Sequence, residues 1–175
     1  ADDEVDEITK RVKSMGSKGK RVSDADVFAV AESVMSSVPE SEQIVDLKEV
    51  NVSTGKDSTP MASIRAEVND EEKVDASVGV GPVDAALNAV RSVMDDSHEI
   101  EVTDFHIDSI SGGSDAVANV YVGIEDEEGR EANANASSED ITVASVEAVV
   151  DAINHLVRKQ DSEKRTQKKE AVSDD

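Results

Sequence analysis

Six consecutive residues, Gly79-Val80-Gly81-Pro82-Val83-Asp84, offer the clearest chemistry in this sequence. Two glycines remove Cβ atoms from a short stretch, so another group can approach its backbone closely. Pro82 suits the first position of a helix, where its fixed φ helps and a missing N–H loses no bond. The N–H groups of a first helical turn lack intrahelical partners, and the helix dipole favours an anion beside them. The stretch therefore suits a carboxylate or another anion. A plain strand-to-helix turn is the alternative reading. Other chemistry has less support. Without Cys there is no thiolate nucleophile, Cys-ligated metal or disulfide framework. His98, His106 and His155 lack metal-ligand spacing and read as surface residues. Asp95-Asp96 and Asp126-Glu127-Glu128 resemble metal clusters in composition and read as solvated turns. Gly112-Gly113-Ser114-Asp115 reads as a tight turn, and no context suggests an activated Ser.

The elements around this stretch follow from periodicity. Residues 3–15 place Val5, Ile8, Val12 and Met15 at helical spacing, and the run from Gly16 to Arg21 breaks that helix. Ser23 is the N-cap of a second helix, with Asp26 three positions on and Val27, Val30 and Val34 along one side. A linker containing Pro39 follows. From Val45 the period becomes two. Val45 and Leu47 alternate, the phase slips, and Val50 and Val52 resume, which predicts a β-bulge or a bend. Gly55-Lys56-Asp57-Ser58 turns the chain into a strand with Ala62, Ile64, Ala66 and Val68 on one face. Asp70-Glu71-Glu72-Lys73 is expected to form a hairpin turn, with Val74, Ala76 and Val78 in a third strand. Val83, Ala86, Leu87, Val90, Val93 and Met94 then stripe a helix.

The second half repeats the first. Ile100, Val102, Phe105 and Ile107 lie 55 residues after Val45, Leu47, Val50 and Val52. Ala118, Val120, Val122 and Ile124 lie 56 residues after their counterparts. Ala132, Ala134 and Ala136 mark the third strand, and Ile141, Ala144, Ala148, Ala152 and Leu156 line a final helix with Asp140 as its N-cap. The expected fold is α+β, two tandem βββα units related by a pseudo-two-fold and preceded by a short helical linker subdomain. Its boundaries are 1–40 for the linker subdomain and 44–159 for the duplicated domain, with units at 44–96 and 99–159. Residues 160–175 are expected to form a disordered tail of mixed charge. A single helix per three-stranded sheet leaves apolar surface over, which a C2 dimer would cover.

Composition narrows the partners. There are 40 Asp+Glu against 18 Lys+Arg, a net charge of −22, and a sequence pI near 4.3. The acids alternate with Val, Ile and Ala at regular periods, which favours a folded acidic surface over disorder. Such a surface suits high salt, where self-repulsion is screened, as in a halophilic archaeal cytoplasm. No basic patch is present to neutralise phosphates, so nucleic acid is a poor partner. No apolar run reaches membrane-spanning length and no signal peptide is visible, so a cytoplasmic location is expected. The chain opens on Ala1 rather than Met, which suggests a processed or excised segment.

Three motifs, in order, resemble the C-terminal regulatory domain of the 2-isopropylmalate synthase family, which includes (R)-citramalate synthase. They are Gly79-Val-Gly-Pro-Val-Asp-Ala-Ala86, Phe105-His-Ile-Asp-Ser-Ile-Ser-Gly-Gly-Ser-Asp-Ala116, and Asp140-Ile-Thr-Val-Ala-Ser-Val146 followed by Ile153-Asn154. The likeness runs from about Ile44 to Val157, and residues 3–38 resemble the family's linker subdomain. It implies a parent enzyme that condenses acetyl-CoA with a 2-oxo acid on a divalent metal in a TIM barrel absent from these 175 residues. This chain is therefore not expected to catalyse alone, and needs no cofactor of its own. The resemblance further implies a homodimer that binds a branched-chain amino acid, leucine or isoleucine, and so inhibits the barrel. The implied effector residues are Gly79, Gly81, Val83, Asp84, Val102, Phe105, Ser109 and Ile141. In that arrangement Asp84 would accept from the effector's ammonium, while Val102, Phe105 and Ile141 would shape an apolar slot. A pure dimerisation module without ligand is the competing reading.

Overall fold

The computed structural model describes residues 2–17, 19, 21–39, 42–94, 100–110, 113 and 116–173, with side chains described between residues 3 and 160. His98, Asp95-Asp96 and most of the Gly112–Asp115 turn lie outside the described residues.

Two helices lead, α1 (Asp2–Ser17) and α2 (Asp24–Ser36). Ser23 caps α2 as expected and completes a capping box: its hydroxyl accepts from Asp26 N, and the Asp26 side chain accepts from Ser23 N. Then come β1 (Val45–Ser53), β2 (Met61–Val68), β3 (Glu71–Val78) and α3 (Pro82–Val93), followed by β4 (Ile100–Ser109), β5 (Ala118–Asp126), β6 (Glu131–Ser138) and α4 (Ile141–Ser173). Each trio of strands forms its own antiparallel sheet, ordered β1-β2-β3 and β4-β5-β6. The two βββα units are thus present. Register shifts at Leu47/Glu49 and Val102/Asp104 fall where the hydrophobic phase slips, so both first strands carry the bulge.

The third strand of unit one departs from the sequence expectation. The turn is the two-residue Asn69-Asp70, with φ of 51° and 65°, and β3 begins at Glu71. This pairs Val68 with Glu71 and Ile64 with Asp75. Lys73, Asp75 and Ser77 therefore share the face of Ile64, while Val74 and Val78 point outward, 60% and 56% exposed. Unit two has a longer turn closed by Gly129 (φ 76°), and there Ala132, Ala134 and Ala136 do face the core.

One apolar core joins both units. α3 covers β2 and β3, α4 covers β5 and β6, and the two helices pack on each other. Ala85, Ala89, Ala144, Ala148 and Ala152 are fully buried, and such small side chains let helix and sheet approach closely. α4 also reaches the other unit. Asn154, 1% exposed, accepts from Ile44 N and Val45 N at 2.8 and 2.9 Å and donates to Val45 O at 2.8 Å. A second small core ties the leading helices down, with Met15, Val30, Val34 and Val117 at its centre. α2 lies along β6, where Ser36 Oγ donates to Asn135 Oδ1 at 3.1 Å. Helical backbone in α4 continues to Ser173, past the position near Gln160 where the sequence suggests fraying. Gln160 itself belongs to the module: it is 9% exposed and donates to Asp126 Oδ2 at 3.1 Å. No helix among the described residues is long and apolar enough to cross a membrane.

Candidate functional site

The glycine corner is built by contacts that only glycine permits at one of its two positions. Gly79 N donates to Pro60 O at 3.1 Å, which closes the end of β3. A Cβ on Gly79 would lie 2.3 Å from Ala85 N and 2.6 Å from Asp84 Oδ2, so no side chain fits without moving the first turn of α3. Gly81 is different. It is extended (φ −152°, ψ 172°), an added Cβ would meet nothing within 4 Å, and as N-cap it supplies no side-chain bond. Pro82 takes the first helical position. Open space thus lies over the uncapped first turn of α3, beside Val80, which is 96% exposed.

Asp84 points back into the corner. Its Oδ2 accepts from Val80 N at 2.9 Å, so this oxygen holds the Gly79–Gly81 loop rather than facing open solvent. Asn88 adds a second tie, donating to Val78 O at 3.1 Å. The matching corner in unit two is closed by its own cap. Asp140 Oδ1 accepts from Thr142 N and Val143 N at 2.8 and 3.2 Å, which satisfies the first turn of α4 and places a carboxylate there. Of the two pseudo-equivalent helix ends, the one at Gly81 is open to an anion.

The eight residues implied by resemblance fall in three places. Gly79, Gly81, Val83 and Asp84 form the corner of unit one. Val102 packs near the other end of α3, in an apolar recess of about 10 Å³ with Leu87, Met94, Val149 and Ile153. That recess has room for about one water and not for an amino acid. With 12 residues, α3 separates its two ends by about 18 Å. Phe105, Ser109 and Ile141 belong to unit two. Ser109 pairs with Ala118, which pairs with Ser138 just before α4, so Ser109 and Ile141 share one end of this unit. Phe105 lies further along β4 on the core-side face, 38% exposed, and Ile107 on the same face is 41% exposed. Their counterparts Val50 and Val52 pack on the core. Both α3 and α4 pack on β1, whereas on β4 it is Ile100 and Val102, at its start, that meet α3 and α4.

Two features have roles that the sequence does not announce. Asn154 stitches the units together; it belongs to the third family-like stretch and is a polar residue inside an apolar helical stripe, but neither signal names its partners. The other is an acidic face on α4. Burial raises the Glu147 carboxyl although Arg11 pulls it down, and burial together with Glu147 raises Asp151 to about 6. His155, expected on the surface, is half-buried, with its Nδ1 2.9 Å from Asn133 O. Among the described residues, no group of three or more His, Cys, Asp or Glu is placed to hold a metal ion. Asp126 serves its own turn, accepting from Glu128 N and Arg130 N at 3.0 and 2.9 Å.

Comparison with known proteins bears on this geometry. Residues 21–157 match the family model described as the LeuA allosteric (dimerisation) domain. A protein of Methanosarcina mazei named "Probable 2-isopropylmalate synthase" is 46% identical over 159 residues, covering 91% of this chain and 31% of the relative. The 2-isopropylmalate synthase of Methanocaldococcus jannaschii is 43% identical over 159 residues, covering 91% of this chain and 30% of the relative. A Methanothermobacter thermautotrophicus protein named as an (R)-citramalate synthase CimA is 39% identical over 163 residues, covering 93% and 32%. The chain spans about a third of the length of the curated relatives it matches.

Proposed function

This chain belongs to the LeuA allosteric (dimerisation) domain family, and from that membership we propose that it is the C-terminal regulatory region of a 2-isopropylmalate synthase. The parent enzyme would condense acetyl-CoA with 2-oxoisovalerate on a divalent metal, in a catalytic barrel outside this chain. The regulatory region would form a homodimer and bind leucine as feedback inhibitor. The observation that carries this reading is the open, uncapped first turn of α3 at Gly81, in a chain whose relatives are synthases of this pathway.

In this reading the amino acid's carboxylate takes the N–H groups of Val83 and Asp84, where the helix dipole favours negative charge. Asp84 shapes that anchor by holding Val80 N. The branched side chain needs apolar cover, and since Phe105, Ile107 and Ile141 are exposed in unit two, apart from the corner of the same chain, this reading has them supply it from a second copy. A second copy of the chain would cover these residues and close the slot.

The parent could instead be an (R)-citramalate synthase with isoleucine as effector, a weaker reading, since one such relative reaches 42% identity against 43–46% for the 2-isopropylmalate synthases. Titration calorimetry in molar KCl separates the possibilities. Leucine alone, or leucine more tightly than isoleucine, should give saturable heat, and the reverse order favours the citramalate parent. Gly81→Val, which the fold has room for, should remove that heat. No heat from either amino acid would leave a dimerisation module without effector.

A further inference from the structure

The last helix carries a line of titratable groups where it faces the connector. Glu147, Asp151 and His155 recur every four residues and so share one face of α4. Arg11 of α1 reaches this face: its Nη1 lies 3.5 Å from Glu147 Oε2, and its Nε donates to Glu7 Oε1 at 2.9 Å. The Arg11 and Glu147 side chains are 34% and 29% exposed, so water screens the pair only in part. Two carboxylates four apart on a helix repel each other, and Arg11 sets a positive charge beside both. Burial works against that charge, but Glu147, Glu7 and Asp151 outweigh it and shift the guanidinium upward from its ordinary value. The apolar seat of α1 is elsewhere, against α2 and Val117. The ionic contact and the apolar contact are therefore separable.

From this geometry we infer that Arg11 is a latch that fixes the helical connector onto α4. The same helix starts at the Asp140 cap and holds β1 through Asn154. A shift of α4 would thus reach α1 through Arg11 as well as reaching unit one. That the shift is driven by an effector rests on the function proposed above; the latch itself does not.

Hydrogen exchange on the full chain tests it. Arg11→Met keeps the apolar stem and removes the charge. Amides of residues 3–17 should then exchange roughly three- to fivefold faster, with those of β2 and β5 unchanged, and Arg11→Lys, which keeps the charge, should retain most of the protection. Exchange in α1 within twofold of the parent chain would overturn the latch. So would equal loss of protection in Arg11→Lys and Arg11→Met, or equal loosening of β2 and β5, which would make Arg11 a core residue. Saturating leucine should also alter exchange in α1 of the parent chain but not in Arg11→Met. Leucine that gives calorimetric heat and leaves α1 untouched overturns the coupling while binding stands. With no heat from leucine or isoleucine, binding fails and the variants alone decide the latch.

Discussion

A methyl group on residue 79 would sit 2.3 Å from the Ala85 backbone nitrogen, and one on residue 81 would touch nothing. The two glycines of the corner thus have separate reasons to be there. Gly79→Ala should destabilise the chain by about 2–3 kcal/mol, as an overpacked site does, seen as a lower urea midpoint with unchanged slope. Gly81→Ala should leave the midpoint within about 0.5 kcal/mol. Equal losses at both positions would mean that the corner is simply a turn. Asn154 offers a sharper test. Asn154→Leu keeps the volume but leaves Ile44 N, Val45 N and Val45 O without their partner, and burying such groups unpaired costs about 3 kcal/mol or more. At this scale the sequence is legible only where chemistry has a local signature. Pro82 after Gly81 and Ser23 before Asp26 announce their roles. The task of Asp84 and the reach of Asn154 depend on partners that only the fold supplies.

Among the elements, α4 does the most and carries the strongest electrostatic penalty. Burial and Glu147 raise the Asp151 carboxyl from 3.8 to about 6, with Arg11 and His155 opposing. A raised folded-state value means that the protonated form favours folding: the stabilising contribution is full below about pH 3.8 and is lost as pH rises through 6. Asp151→Asn should therefore stabilise the chain at pH 7 by on the order of 1–2 kcal/mol, less than the full shift because water reaches the site. Its advantage should vanish near pH 4. Melting curves of both chains across pH 4–8 check this, and an advantage independent of pH would point to packing instead. Other elements show what a pattern can and cannot tell. The phase slips between Leu47 and Val50, and between Val102 and Phe105, announce both bulges, because a bulge is itself a change of alternation. The alternation of Val74, Ala76 and Val78 says that β3 is a strand but not which face is buried. The turn at Asn69-Asp70 decides that, and it turns the valines outward.

At the scale of the whole molecule, charge and incomplete cover act against each other. A net charge of −22 on 175 residues repels itself, and a dimer doubles that charge in one particle. Yet Phe105 and Ile107 stay half-open on β4, beyond the recess where Val102 meets α3 and α4. Association through this face gains apolar burial and pays in repulsion, so salt should decide the balance. At 0.1 M the Debye length is about 10 Å, and at 1 M about 3 Å. Sedimentation should accordingly show the dimer tightening as KCl rises from 0.1 to 2 M, with the melting temperature up by several degrees, about 5 °C or more. Phe105→Glu places a further acid on the same face and should leave the chain monomeric even at 2 M KCl, with helix and sheet content unchanged. A dimer that weakens with salt would show that ion pairs hold it. One indifferent to Phe105→Glu would move the interface away from β4, and with it the second copy that the proposed effector slot requires.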